Sequence, residues 1–231
     1  MDSANLPVFV ALGASGGEGL SDIKNLLRAL GLAPGLVVMV VLHRPSDKLS
    51  ALREVLASSC AMPVIVPDEA ERFEAGTCYI GEPDQHLTLV ARNTAGLVPG
   101  GGNKLRNRTI DTLFISLAEH AGARTIGVVL SGSLDDGSRG LAAIHKARGL
   151  TMVLDPGLKP RGMQQNAIDY DGPISFVGTA YEIAATIVQA VSKPDGGRDR
   201  APADLARLAN EATAGPWRKP PIPSDGLVKE G

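Results

Sequence analysis

Val8-Phe9-Val10-Ala11-Leu12-Gly13-Ala14-Ser15-Gly16-Gly17 decides how the rest of the chain is read. Its apolar, β-branched first half predicts a buried strand. The run breaks at Gly13-Ala14-Ser15-Gly16-Gly17. Beyond it, Leu20, Ile23, Leu26, Leu27 and Leu30 recur at helical spacing. A strand, a glycine-rich turn and a helix put Ser15 at the carboxyl end of a strand, where open α/β sheets hold their ligands. The N–H groups that open a helix lack internal partners and favour negative charge. A hydroxyl there can act as a nucleophile, with the following amides as an oxyanion hole.

Working outward, Leu36-Val37-Val38-Met39-Val40-Val41-Leu42 predicts a second strand, buried on both faces as in a parallel sheet. It stops at His43-Arg44-Pro45. Ser46 or Asp47 can cap a helix carrying Leu49, Leu52, Val55 and Leu56. Pro63–Val66 predicts a short strand. Cys78–Gly81 and Leu87–Val90 predict two more, which can pair as an antiparallel hairpin on the edge of the main sheet. Thr109 or Asp111 opens a helix with Leu113, Phe114, Leu117 and Ala118 on one face. Ile126–Leu130 predicts a strand ending in Ser131-Gly132-Ser133-Leu134-Asp135-Asp136-Gly137, followed by a helix through Leu141 and Ile144 to His145. Thr151–Leu154 and Ile174–Val177 predict the remaining strands, and Thr179 starts a last helix with Ile183, Ile187 and Val191 facing inward. Strands alternating with helices make a doubly wound, mostly parallel α/β sheet flanked by helices, with a small antiparallel hairpin.

The 231 residues are 44% hydrophobic and 21% charged, enough for one domain with a proper core. With 23 Lys plus Arg against 25 Asp plus Glu, the formal charge of −2 argues against a basic nucleic-acid face. Aromatics at 3% leave little for base stacking. Cys60 and Cys78 make neither a metal set nor a disulfide framework, and read as two buried or half-buried thiols. No signal peptide or membrane span is visible in the sequence, so a cytoplasmic protein is expected. Composition turns Pro- and Gly-rich near the end. Residues 1–195 are expected to fold as a domain and 196–231 to form a tail, with Trp217 able to pin it to a groove.

Three loops follow three apolar strands and carry Ser15, His43 and Asp135-Asp136. In a parallel sheet such loops lie along one edge, so these side chains can converge. An imidazole can accept the hydroxyl proton of a serine, and a carboxylate can fix the imidazole's tautomer and stabilise its charged form. Each residue also has an ordinary reading: Ser15 as a helix cap, His43 as a satisfied polar residue at a sheet edge, Asp before Gly as turn chemistry. His86, beside a strand, and His120 and His145, in helices, have structural or solvent roles by default.

These segments resemble the catalytic domain of CheB, the chemotaxis-receptor methylesterase. The resemblance rests on Gly13–Gly17, on Val40-Val41-Leu42-His43, and on Leu130 through Leu141. Tyr79-Ile80-Gly81-Glu82-Pro83 through His86-Leu87, and Arg106-Asn107-Arg108-Thr109-Ile110-Asp111, resemble further family segments. It covers roughly residues 7 to 191. The resemblance implies Ser15 as nucleophile, His43 as base and Asp136, directly before the glycine, as the orienting carboxylate. It implies hydrolysis of glutamate γ-methyl esters on a receptor, with deamidation of glutamine in some relatives, and neither metal nor organic cofactor. Gly16 and Ser133 are implied as oxyanion and substrate contacts.

Two departures stand out. The family usually has one residue between the serine and the paired glycines, whereas Ser15 meets Gly16 directly. Where the family has a methionine between two glycines, this chain has Gly132-Ser133-Leu134. Family members often carry an N-terminal receiver domain. A strand beginning near Pro7 leaves no room for one, so an open site or a regulator in trans is expected, with Arg106-Asn107-Arg108 able to steer an acidic receptor surface.

Two other functions fit parts of the sequence. A binding module of the same fold with weakened turnover fits the departures. A nucleotide-binding oxidoreductase fits Gly13, Gly17 and Gly19. Against the latter, His43 stands where a dinucleotide site wants an acidic residue, and no Tyr-x-x-x-Lys pair exists.

Overall fold

The computed structural model describes residues 7–43, 51–83, 85–91, 93–99, 108–133, 135–157, 162–170, 172 and 174–192. The continuous apolar runs form a seven-stranded sheet in the order β3-β4-β2-β1-β7-β8-β9, every pair parallel. Its strands are β1 (Val8–Ser15), β2 (Leu36–His43), β3 (Val64–Ile65), β4 (Thr77–Ile80), β7 (Thr125–Val129), β8 (Leu150–Leu154) and β9 (Phe176–Gly178). From β1 the order runs one way to β2 and the other way to β7. Ser15 therefore ends β1 at the switch point of the sheet, where a crevice opens between diverging connections.

Alternation of side chains along β1 and β2 supplies both faces of the core. Val10, Leu12, Val38 and Val40 face one cluster, with Ile23, Leu26 and Leu27 of α1 (Gly16–Leu30) and Ile183 and Ile187 of α6 (Ala180–Ser192). Phe9, Ala11, Val37 and Met39 face the other, with Ile110, Phe114 and Leu117 of α3 (Thr109–His120), Leu141 and Ile144 of α4 (Ser138–Lys146) and Met163 of α5 (Met163–Asp169). A short helix, α2 (Leu52–Ala57), precedes β3. Thr179 opens α6 with a capping box: its N–H donates to Glu182 Oε2 (2.7 Å), and Glu182 N–H donates to Thr179 Oγ1 (3.3 Å).

The hairpin differs from the sequence expectation. Thr77–Ile80 is a parallel strand inside the main sheet, and all four of its residues are buried. The antiparallel pair is instead β5 (Gln85–Val90) with β6 (Thr94–Pro99). Gly96 and Pro99 disguise β6 as a loop. The left-handed Ala91 (φ 52°) makes the turn without the usual Asn-Gly signal. Helix α5 was also not legible as an element. Ser46, Asp47, Arg106, Asn107, Leu134 and the tail with Trp217 lie outside the described residues.

The start of α3 presses directly onto β1. A Cβ on Gly13 would come within 2.3 Å of Ile110 Cγ2, so the close approach requires glycine there. Gly13→Ala is expected to destabilise the fold by about 1–3 kcal/mol. In a double-mutant cycle with Ile110→Ala, measured by chemical denaturation, the double variant should lose less than the sum of the two single losses, because the second change removes the obstructing methyl. Strict additivity would mean that the contact does not determine the position of α3.

Candidate functional site

Strand pairing brings the first two residues together. Ser15 is in register with His43 across β1 and β2, the last pair of that ladder. Paired parallel strands lie about 4.8 Å apart and in-register residues share a face. For this pair the shared face is the one covered by α3 and α4. Ser15 is half-buried and occupies the N-cap position of α1 with extended backbone (φ −141°, ψ 141°), yet its side chain makes no capping hydrogen bond. The ordinary reading of Ser15 as a helix cap is thus not what the fold uses the hydroxyl for. Gly16 follows in the left-handed region (φ 71°), turning strand into helix within one residue and leaving its surroundings open.

The third residue arrives through the loop after β7. That loop continues alongside β1: Leu130 N–H donates to Gly13 O (2.9 Å) and Ser15 N–H to Ser131 O (3.0 Å). The loop is braced from α5, because Met163 N–H donates to Gly132 O (2.9 Å) and the buried Gln164 donates Nε2–H to Ser131 Oγ (3.0 Å). Asp136 then sits 1% exposed, with Oδ2 at 2.7 Å from His43 Nε2. The approach is close in distance, but the N–H axis of the ring misses the oxygen, so Nε2 has no aligned hydrogen bond. The contact is electrostatic in the present geometry. No hydrogen bond joins Ser15 Oγ to His43 among the described residues. Asp135 and Ser133 are exposed, as is Gly16.

Asp136 is held by backbone rather than by a cation. Its Oδ2 and Oδ1 accept hydrogen bonds from the N–H groups of Ile110 and Asp111, both at 2.9 Å, at the start of α3. Those are orphan donors at the positive end of a helix dipole. Asp111 returns the arrangement: its Oδ1 accepts from Gly137 N–H (3.0 Å) and Gly140 N–H (2.8 Å) at the start of α4. Each carboxylate thus caps the other's helix. Burial pushes the Asp111 carboxyl up to about 6, with the charge of Asp136 adding to it and the two N–H donors opposing it.

Two further residues of the site gave no clear sequence signal. Asp111 read only as a helix opener. His86 read as lying beside a strand with a structural or solvent role by default, but it belongs to β5, is 4% exposed and lies within electrostatic reach of both Asp136 and His43. Burial lowers its pKa, the charge of Asp136 partly opposes this, and His43 reinforces it. His120 and His145 are exposed on helices. Among the described residues no three His, Cys, Asp or Glu side chains gather as a metal set, and no helix is long and apolar enough to cross a membrane.

Fold and rim together define a doubly wound α/β protein with Ser15 in register with His43, and His43 beside Asp136, at the carboxyl edge of a parallel sheet. The chain belongs to the CheB methylesterase family, whose family model matches residues 10–187. A protein-glutamate methylesterase/protein-glutamine glutaminase 3 of Paramagnetospirillum magneticum is 32% identical over 182 residues, spanning 78% of this chain and 51% of that relative. A protein-glutamate methylesterase/protein-glutamine glutaminase of Salmonella typhimurium is 32% identical over 169 residues, 71% of this chain and 48% of the relative. The chain thus spans about half the length of these curated relatives. The crystal structure of the Thermotoga maritima CheB methylesterase catalytic domain superposes with a TM-score of 0.67 at 26% identity, covering 80% of this chain and 99% of that one.

The Asp111 exchange is testable through stability. Asp111→Ala removes the acceptor for two amides and should cost about 1–3 kcal/mol. Asp111→Asn keeps an acceptor oxygen and cannot ionise. The folded-state pKa of Asp111 is raised, so the folded protein binds the proton more tightly, and ionising this group lowers stability as pH rises from about 4 to about 6. The stability of the Asn variant relative to wild type should therefore climb across that window and level off above it. A difference independent of pH would mean that Asp111 titrates normally.

Proposed function

We propose that the chain is a serine hydrolase that cleaves glutamate γ-methyl esters on methylated chemoreceptors or related signalling proteins, and also deamidates glutamine. The observation that carries this reading is the in-register Ser15–His43 pair with Asp136 Oδ2 at 2.7 Å from the imidazole. Assigning the ring proton to Nε2, which faces the carboxylate, leaves Nδ1 as the basic nitrogen. In this mechanism Ser15 Oγ attacks the ester carbonyl while His43 takes its proton. The oxyanion forms near the backbone amides of Gly16 and Ser133, beside the N-terminus of α1. His43 then protonates the leaving methoxide, and methanol departs. Water attacks the acyl-enzyme with His43 again as base, freeing the glutamate carboxylate and Ser15. Asp136 orients the imidazole and stabilises its charged form. None of these steps calls on a metal or an organic cofactor.

On this reading residues 1–195 are the catalytic domain, 196–231 an appended tail, and the protein works in the cytoplasm. A second reading, a binding module with weak turnover, draws on Gly16 following Ser15 directly and on the missing Ser15–His43 hydrogen bond. Resting enzymes often tighten such bonds only once substrate arrives, which favours the first reading.

Methanol release from methylated receptor fragments tests it. Wild type should turn over, and Ser15→Ala should fall by at least about 10³-fold with fold intact. Equal rates would remove Ser15 as nucleophile. Receptor binding without any methanol release would favour the module.

A further inference from the structure

Ser131, in the loop after β7, is 1% exposed and is held from three elements at once. Its N–H donates to Asp22 Oδ2 of α1 (3.3 Å). Its carbonyl accepts the N–H of Ser15 at the end of β1 (3.0 Å). Its Oγ accepts Nε2–H of Gln164 on α5 (3.0 Å). The next residue is pressed between two of the same elements. A Cβ on Gly132 would run into Met163 Sδ of α5 and come within 2.8 Å of Ser15 Cβ. From the α1 side, a Cβ on Gly19 would come within 2.6 Å of Ser131 O. The backbone of Ser131-Gly132 is therefore the surface on which Ser15 rests.

Gln164 is an unexpected residue for its place. It is 4% exposed, and a buried amide is unfavourable unless its hydrogen bonds are made. Helix α5 already has apolar anchors in the buried Met163 and Ala167. A third apolar side chain would serve packing better. The amide instead reaches the loop that touches Ser15. Gln165, its neighbour, shows the contrast: it donates to Asp169 Oδ1 of the same helix (2.8 Å) near the surface.

We propose that Gln164 is a positioning residue for the hydrolysis, orienting Ser15 through Ser131. The constraint passes from the α5 amide to Ser131 Oγ, along one residue, and from Ser131 O to the Ser15 N–H. The same loop leads two residues on to Ser133, whose amide the mechanism above places at the oxyanion. With the Gln164–Ser131 bond made, nucleophile and oxyanion donor are held against one support. Without it, Ser131-Gly132 can shift against α5 and carry both out of line. A misplacement of about 1 Å at a reacting group can lower a rate by about 10²-fold. The inference rests on Ser15 being the nucleophile, but not on which ester it attacks.

The test is the saturation kinetics of a fluorophosphonate on Ser15, giving a maximal rate kinact and an apparent affinity KI, in the full chain. Because the probe needs no receptor, a wrong ester assignment leaves the readout intact. Gln164→Met keeps the bulk and removes the donor. Ser131→Ala cuts the same bond from its other end, and serves should the first variant fail to fold. Each should lower kinact by at least about 10-fold with KI within about twofold of wild type. The double variant should be no slower than the slower single one, because both changes break one bond. Gln165→Met, on the same helix, should label like wild type. Denaturant titration checks that every variant is folded under assay conditions. Folded variants with wild-type kinact, a loss confined to KI, or single losses that multiply in the double variant would overturn the positioning role while leaving Ser15 as nucleophile. Folded wild type that never labels would remove the nucleophile and this role with it.

Discussion

Two buried carboxylates, Asp136 and Asp111, exchange caps between the helices that cover one face of the sheet. Asp136 lies after β7 and holds the first amides of α3, while Asp111 on α3 holds the first amides of α4. Hydrogen bonds to ionised groups contribute about 1.5–3 kcal/mol each, and here four of them connect segments about 25 residues apart. The arrangement has a cost in desolvation, which the raised pKa of Asp111 registers. What it secures is position. Asp136 cannot swing away from the rim without uncapping α3, so its carboxylate stays beside His43.

The other half of the site is fixed by a different force. Ser15 and His43 are the final residues of two central strands, and their separation is set by the ladder itself. Every residue from Val10 to Ala14, apart from Gly13, and from Val37 to Val40 contributes a buried apolar side chain. Slipping the register by one residue would turn those side chains to the opposite face and lose both packing clusters. Rigid strands thus carry the hydroxyl and the imidazole, and paired helix dipoles carry the acid. Gly13 is where the two systems meet, because α3 touches β1 there without an intervening side chain.

This division explains what the sequence disclosed. Strands buried on both faces announce themselves as unbroken apolar runs, so β1, β2 and β7 and the loops at their carboxyl ends were readable, and with them the places of Ser15, His43 and the Asp135-Asp136 pair; the preference for Asp136 came from the family resemblance. The β5–β6 hairpin was read with the wrong partner because its second strand contains Gly96 and Pro99, and because Thr77–Ile80 is too short to distinguish a central strand from an edge one. His86 and Asp111 carry no local signature. Their places near Asp136 depend on how a hairpin and a helix lie over the sheet, which is a tertiary fact.

The central claim is that the hydroxyl of Ser15 is activated by His43 and Asp136 acting as a unit. The rate at which a fluorophosphonate modifies Ser15, followed by mass spectrometry in wild type, His43→Ala and Asp136→Asn, addresses it most directly. The account predicts a single adduct on Ser15 in wild type and a rate at least about 100-fold lower in both variants while they remain folded. Labelling of Ser15 at the same rate in all three proteins, or no adduct in folded wild type, would contradict it.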